Sequence, residues 1–211
     1  MDYNLQSVNT FNRAAERYQE KYMDLSLYIE TFSPFVKALI RDDAHVLELA
    51  CGPGNITRYL LTQKPELTIL ATDLAPNMLS LAKKNNPKVE VMLLDSRDLQ
   101  RLERRFDAIM CGFCLPYLNH EEAIKLINDA AEKLNPNGVL YLSTMEGDET
   151  APQQHISSDG DHMYTYLHQG QVLTGALEAA GFSLIDIKRK QQDSPIGEVI
   201  DLFITARLDN K

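Results

Sequence analysis

Apolar and aromatic positions between residues 8 and 30 (Phe11, Ala14, Ala15, Tyr18, Tyr22, Leu25, Leu27, Tyr28) fall at mixed helical spacing, which predicts one or two helices. Ser33-Pro34 reads as an N-cap followed by a first-turn proline that opens another helix over FVKALI. From His45 the texture changes. The short apolar runs HVLELA, LTILAT, KVEVMLL, FDAIMC and GVLYLST alternate with the helical periods NITRYLLTQ, PNMLSLAKKN, a short one near LQRLE, and HEEAIKLINDAAEKL. Strands alternating with helices build a parallel sheet with crossover helices on its faces.

Asn119 followed by Glu122 gives the last of these helices a capping-box start, and Asn135-Pro136-Asn137-Gly138 closes it. After Thr144 comes a polar stretch without clear period, then MYTYLH, a helix QVLTGALEAA closed by Gly181, and the runs FSLIDIKRK and EVIDLFITARL. The link QQDSPIG is too short for a crossover, so the two runs should pair antiparallel. The expected fold is α/β: a doubly wound, seven-stranded sheet, mostly parallel, with a C-terminal antiparallel hairpin strand, in three α/β/α layers behind a helical N-terminal extension. The expected organisation is one domain over 1–211. It comprises a helical segment (1–42), a core (43–144), an acidic insertion (145–168), and a closing helix and hairpin (169–211).

Composition changes this picture little. A chain of 211 residues with 44% hydrophobic and 24% charged side chains can bury a core as one α/β domain. The net charge of −9 argues against nucleic acid or an anionic membrane as partner, because both recruit basic patches. The deficit is uneven. From Met145 to Ile187 there is no Lys or Arg, while Glu146, Asp148, Glu149, Asp159, Asp161, Glu178 and Asp186 are all acidic. The N-terminus lacks a basic start and an apolar stretch, and no later run approaches ~18 apolar residues, so the expected location is cytoplasmic. The three cysteines are then expected as thiols.

The chemistry concentrates after the first strand. VLELACGPGN places Glu48 inside the strand and Gly52 and Gly54 in the turn that follows, where glycine permits positive φ and close backbone approach to a ligand. Asp73 ends the second strand, and a carboxylate there can accept hydrogen bonds from both hydroxyls of a ribose. Asp95 ends the third strand in MLLDSRDL. Two acids and a glycine turn converge on one rim of the sheet.

In order and spacing, ELACGPGN, TDLAPNM, LLDSRDL, FDAIMCGFCLPYL and LNPNGVLYLS resemble the class I, Rossmann-like, S-adenosylmethionine-dependent methyltransferases of small-molecule type, over roughly residues 40–145. The resemblance implies S-adenosylmethionine as cofactor. The glycine loop, Glu48, Ala50, Cys51, Gly52 and Gly54, would cradle its methionine part. Asp73 with Leu74 would hold the ribose and Asp95 with Ser96 the adenine, while Cys111, Gly112 and the residues to Tyr117 would border the methyl group. Alanine stands at 50 where the family commonly has glycine. On the substrate side, Tyr18, Tyr22, Tyr117, His162 and Tyr166 are the candidates, and the expected partner is a small-molecule methyl acceptor. An acidic segment lining the pocket would favour a neutral or cationic acceptor; facing water, it would have no such effect.

Alternatives remain at this level. A nicotinamide-dependent oxidoreductase shares the glycine turn and the acid, yet its third glycine would fall at Thr57, and Glu48 precedes the loop. Cys111-Gly112-Phe113-Cys114 has redox-motif spacing but follows the fourth strand, and with Cys51 it could form a three-thiol metal site. His45, His120, His155, His162 and His168 show no ligand spacing, and no metal is expected. No catalytic base is singled out, so a non-catalytic cofactor binder also fits.

Overall fold

A computed structural model describes residues 2–156, 160–194 and 197–210. The first strands and helices follow the sequence pattern closely: β1 (His45–Leu49), α4 (Asn55–Gln63), β2 (Thr68–Asp73), α5 (Pro76–Asn85), β3 (Glu90–Leu93), β4 (Phe106–Cys111), α6 (His120–Lys133) and β5 (Leu134–Glu146). They are preceded by α1 (Tyr3–Arg13), α2 (Ala15–Tyr22) and α3 (Ile29–Ala38). After them come β6 (Gln153–Ile156), β7 (His162–Thr165), α7 (Gly170–Ala179), β8 (Phe182–Ser194) and β9 (Gly197–Leu208).

Seven strands pair in the order β3-β2-β1-β4-β5-β9-β8. β1 to β5 are mutually parallel, and β9 runs antiparallel to both neighbours, so β8 shares the direction of the first five. Both faces are covered, which is why the strands read as nearly continuous apolar runs. Leu47, Leu49 and Ile109 point toward α6 and α7 with Leu126, Ile127 and Leu173, while Val46, Ile69 and Tyr141 point toward α3, α4 and α5 with Phe35, Leu60 and Leu79. The period-2 alternation of each strand thus feeds two cores at once.

Local signals set several boundaries. Asn119 accepts from the Glu122 amide and the Glu122 carboxylate accepts from the Asn119 amide, a complete capping box that fixes the start of α6. Elsewhere the structure departs from the pattern. Ser33 does not cap a helix: α3 begins at Ile29 and carries Pro34 inside it. Running the helix through puts Phe32 and Phe35 together on the face that packs against Tyr141. The carbonyl of Glu30, which Pro34 cannot reach for lack of an N–H, accepts instead from Lys188 Nζ at 3.3 Å. The terminal hairpin is also longer than the apolar pattern suggested, pairing from Phe182↔Leu208 to Ser194↔Gly197. Most of QQDSPIG is therefore strand, and its Pro195 and Ile196 lie outside the described residues.

The polar stretch after Thr144 is not a bare loop. β6 and β7 form a two-stranded antiparallel ribbon. The ribbon braces α1: Ser7 Oγ donates to the Tyr164 carbonyl at 3.1 Å, Thr10 Oγ1 donates to the His162 carbonyl at 2.8 Å, and the Tyr3 and Tyr164 rings stand 4.5 Å apart. Hydroxyl-to-carbonyl bonds of this kind leave no apolar periodicity in the sequence.

Candidate functional site

The rim where β1 to β4 end carries a partly open pocket of about 110 Å³. Its floor is Ala50 and Gly52 from the loop after β1, and Asp73 and Leu74 at the end of β2. Beyond these lie Asp95 and Ser96 after β3, and Gly112 with Tyr117 after β4. Its roof is α1 and α2, which contribute Asn4, Val8, Phe11 and Tyr18.

The loop after β1 is wound through three left-handed residues, Ala50 (φ 51°), Gly52 (φ 54°) and Gly54 (φ 80°). Alanine at 50 adopts a conformation that costs an L-residue roughly 1–2 kcal/mol, so the substitution for glycine stores strain at the rim. A Cβ on Gly52 would project to 3.7 Å from the Tyr18 ring, into the pocket, which is the cradle a ligand needs. Gly54 does a different job: a Cβ there would collide with the amide of Asn86, whose Nδ2 donates to the Gly54 carbonyl at 3.0 Å. This glycine lets α5 pack against the loop, and it does not line the pocket.

Asp73 is held by backbone alone. Gly52 N–H donates to Oδ2 and Ala75 N–H to Oδ1, both at 2.8 Å. Burial raises its pKa, and the donating amides of Ala75, Gly52 and Leu74 oppose that rise. Each oxygen keeps a lone pair for a further donor. Behind the loop, Glu48 is buried, with Oε2 accepting from Thr57 Oγ1. Burial pushes its pKa up to about 8, so it is largely protonated at neutral pH.

Asp95 is occupied differently. The Arg97 amide and Nε donate to Oδ1 at 2.9 and 3.0 Å, and Nε and Nη2 donate to Oδ2 at 3.0 and 2.7 Å. The same guanidinium reaches Asp2, the N-cap of α1, at 3.3 Å and Glu122 at 3.2 Å. These acids, Asp95 foremost, raise the Arg97 pKa further.

Of the residues the sequence singled out, Ala50, Gly52, Asp73, Leu74, Asp95, Ser96, Gly112, Tyr18 and Tyr117 line the pocket together. Glu48, Cys51 and Cys111 are buried behind it. Tyr22 packs at a tilt on Tyr18, 4.6 Å between ring centroids, and is 40% exposed, and His162 sits on the ribbon, its Nδ1 against Gln154 Nε2. Tyr166 donates its backbone N–H to the Pro116 carbonyl at 2.7 Å, tying the insertion to the loop after β4. No described acidic residue of the insertion lines the pocket: Asp161 pairs with Arg13 at 2.5 Å, Glu146 with Arg189 at 2.5 Å, and Glu149 accepts from Gln153 at 2.7 Å. Asp159 lies outside the described residues. The segment therefore lends no support to a preference for cationic acceptors.

Asn4, Val8 and Phe11 were not anticipated, although they stand at i, i+4 and i+7 on one face of α1. Their spacing was visible. What hid it was Asn4, a polar residue on the inward face. Phe113, within the stretch after β4 that the sequence pointed to, lines the pocket; it holds φ at 51°, with its N–H donating to Ser143 Oγ at 2.8 Å.

Chemically the pocket offers positioning and dryness rather than proton transfer. Burial raises the pKa of both Tyr18 and Tyr117, so neither is a base near neutral pH. His120 and His168 are spent on the carbonyls of Leu167 and Leu115, each at 2.9 Å, and burial lowers the His168 pKa to about 4. The three cysteines are buried free thiols, and among the described residues no group of three or more His, Cys, Asp or Glu could hold a metal. Among the same residues no helix is long and apolar enough to cross a membrane.

This architecture and rim match known proteins. Residues 46–138 match the family model described as methyltransferase domain. A malonyl-[acyl-carrier protein] O-methyltransferase of Priestia megaterium is 30% identical over 151 residues, 69% of this chain and 53% of that protein. A trans-aconitate 2-methyltransferase of Methylobacterium nodulans is 35% identical over 99 residues, 47% of this chain and 37% of that protein. Among solved structures, the 1,6-didemethyltoxoflavin-N1-methyltransferase of Burkholderia thailandensis, with its substrate and S-adenosylhomocysteine bound, superimposes with a TM-score of 0.72. That match has 22% identity and covers 99% of this chain and 89% of that one. The chain spans about half or less of the length of the curated relatives it matches. Residues 46–138 are thus similar to the methyltransferase domain, and the fold of the chain is that of the Rossmann-like S-adenosylmethionine-dependent methyltransferases.

Proposed function

We propose that the protein binds S-adenosylmethionine under α1 and α2 and transfers its methyl group to a small organic acceptor. The carrying observation is the junction of Gly52 and Asp73. A loop with room for a ligand atom where a Cβ would stand is hydrogen-bonded to a carboxylate whose remaining lone pairs face the same pocket. Such a carboxylate suits the diol of a ribose. The apolar wall of Leu74, Ala75, Met78 and Leu94 suits the faces of a purine beside it.

When bound, the sulfonium supplies a methyl group that is already electrophilic. The chain's own share is to align the acceptor and exclude water. Phe11, Tyr18 and Tyr117 ring the pocket, with Phe11 stacked edge-on against both tyrosines at 5.6 and 5.1 Å. Aromatic walls tolerate a cation and repel water. A cavity of about 110 Å³ is smaller than the ~300–1,000 Å³ of typical ligand sites.

The names of similar proteins include an O-methyltransferase of malonyl-[acyl-carrier protein] and an N1-methyltransferase of 1,6-didemethyltoxoflavin. Both chemistries fit a site without a general base, because a carboxylate or ring nitrogen can attack with a lone pair it already has. The test is calorimetry on the full chain with S-adenosylmethionine, S-adenosylhomocysteine and NAD. The first two should bind and NAD should not; binding of NAD alone sinks the reading.

A further inference from the structure

Phe113 is a bulky member of the pocket wall, yet its backbone sits in the left-handed region at φ 51°. A large side chain rarely accepts that conformation, and where it does the surroundings hold it there. Here the Phe113 N–H donates to Ser143 Oγ at 2.8 Å, on the neighbouring strand β5.

Ser143 is one link in a buried series of hydroxyls, the others being Tyr141 and Thr31. Thr31 Oγ1 donates to the Tyr28 carbonyl at 2.7 Å and lies 2.9 Å from the Tyr141 hydroxyl, which is bonded to Ser143 as well. Each hydroxyl has a single proton, and that fixes the sense of the series. A carbonyl only accepts, so the Thr31 proton goes to Tyr28. The Tyr141 proton must then go to Thr31, and the Ser143 proton to Tyr141. All the bonds run one way, from the Phe113 amide to the Tyr28 carbonyl, and bonds aligned head to tail strengthen one another. The series ends beside its start. The Tyr28 ring stands 5.3 Å from the Phe113 ring, and Phe203 lies 5.9 Å from Phe113 and 5.8 Å from Tyr28. One closed circuit thus holds Phe113 at its amide and at its ring.

Strand order relates this wall to the proposed ligand. Asp95, Asp73, the glycine loop and Phe113 follow one another along the rim as β3-β2-β1-β4. A cofactor with its ribose at Asp73 and its purine toward β3 would turn its sulfonium end toward β4. Resting on that reading, we infer that Ser143 is a positioning residue, which acts through the Phe113 backbone to set the wall against the sulfonium methyl, with Tyr141 and Thr31 orienting its hydroxyl.

The experiment measures Kd for S-adenosylmethionine and S-adenosylhomocysteine, which differ at the sulfur alone, by calorimetry on the full chain. Ser143→Ala should weaken the methylated ligand relative to the demethylated one by about fivefold, the worth of one hydrogen bond. Tyr141→Phe keeps the ring and removes only the hydroxyl, and it should shift the ratio the same way by about twofold to threefold. Phe35→Leu disturbs the same core, where Phe35 packs 6.2 Å from Tyr141, and leaves the hydroxyls in place, so the ratio should keep its wild-type value. Each ratio is internal to one variant, so a general loss of stability does not move it. An unchanged or reversed ratio in Ser143→Ala and Tyr141→Phe overturns the inference, as does an equal shift in Phe35→Leu. If Ser143→Ala does not fold, Tyr141→Phe decides alone. Failure of the wild type to bind either compound is a different result, which removes the cofactor reading itself.

Discussion

Asp73 and Asp95 are the same residue type at the ends of adjacent parallel strands, and the fold has given them opposite fates. Asp73 is held by neutral backbone amides and lines the pocket. Asp95 is clamped by a guanidinium that two further acids share. The first lines the pocket, where the hydroxyls of the proposed ligand would meet it; the second holds the molecule's own cover. Sequence position alone does not assign a rim carboxylate its role; what else has claimed its lone pairs does.

The sharpest break of this comparison is a matched pair of truncations. Asp73→Ala should weaken S-adenosylhomocysteine about a hundredfold, since two hydrogen bonds to a charged acceptor are lost. Asp95→Ala should weaken it by less than about tenfold, and calorimetry on both variants reads the difference directly. Equal losses would dissolve the contrast.

A second test concerns the group behind Asp73. Glu48 stays protonated up to about pH 8 in the fold, whereas in the unfolded chain it ionises near its ordinary value of 4.5. Between those values the folded state binds the extra proton, so ligand-free stability declines as pH rises and is flat above about 8. His168, whose pKa falls from 6.5 to about 4, makes stability rise with pH below 6.5 and is silent above it. The window from 6.5 to 8 therefore isolates Glu48. Denaturant titrations there should show a decline on the order of 1–2 kcal/mol that Glu48→Gln removes. A wild type with no slope in that window would refute the assignment.

Cutting the clamp comes next. Arg97→Ala should lower stability by about 1 kcal/mol, because the pairs are partly exposed and screened. It should also release α1, seen as faster amide exchange over residues 3–13 with no matching change at β2. The smallest effect is expected at the rim loop. Ala50→Gly relieves the left-handed alanine and should raise Tm slightly, by about 0.5–1 kcal/mol in stability, once the added chain entropy of glycine is offset.

Much of the sheet could be read from the pattern because parallel strands covered on both faces must be apolar throughout, and the helices between them carry their own punctuation. Pro76 opens α5, and Asn119 with Glu122 opens α6. The ribbon of β6 and β7 could not be read. Its stability comes from Ser7, Thr10 and Arg13 on a distant helix, and such hydrogen bonds leave no periodic trace. Ser33-Pro34 misled for a related reason: packing of Phe32 and Phe35 against Tyr141 outweighed a local preference worth about a kilocalorie.

By itself, then, the sequence determined the order of elements, the glycine turn after β1 and the two acids at neighbouring strand ends. These depend on local backbone chemistry and on a burial pattern that repeats every two or 3.6 residues. Only the tertiary structure decided that Arg97 takes Asp95, that the acidic insertion spends its described charges away from the pocket, and that α1 brings Asn4 over the rim. The last two depend on groups from distant parts of the chain meeting, and the first, a pair two residues apart, on a guanidinium that Asp2 and Glu122 also hold. A hydrogen-bond partner is a matter of three-dimensional proximity, and no periodicity records it.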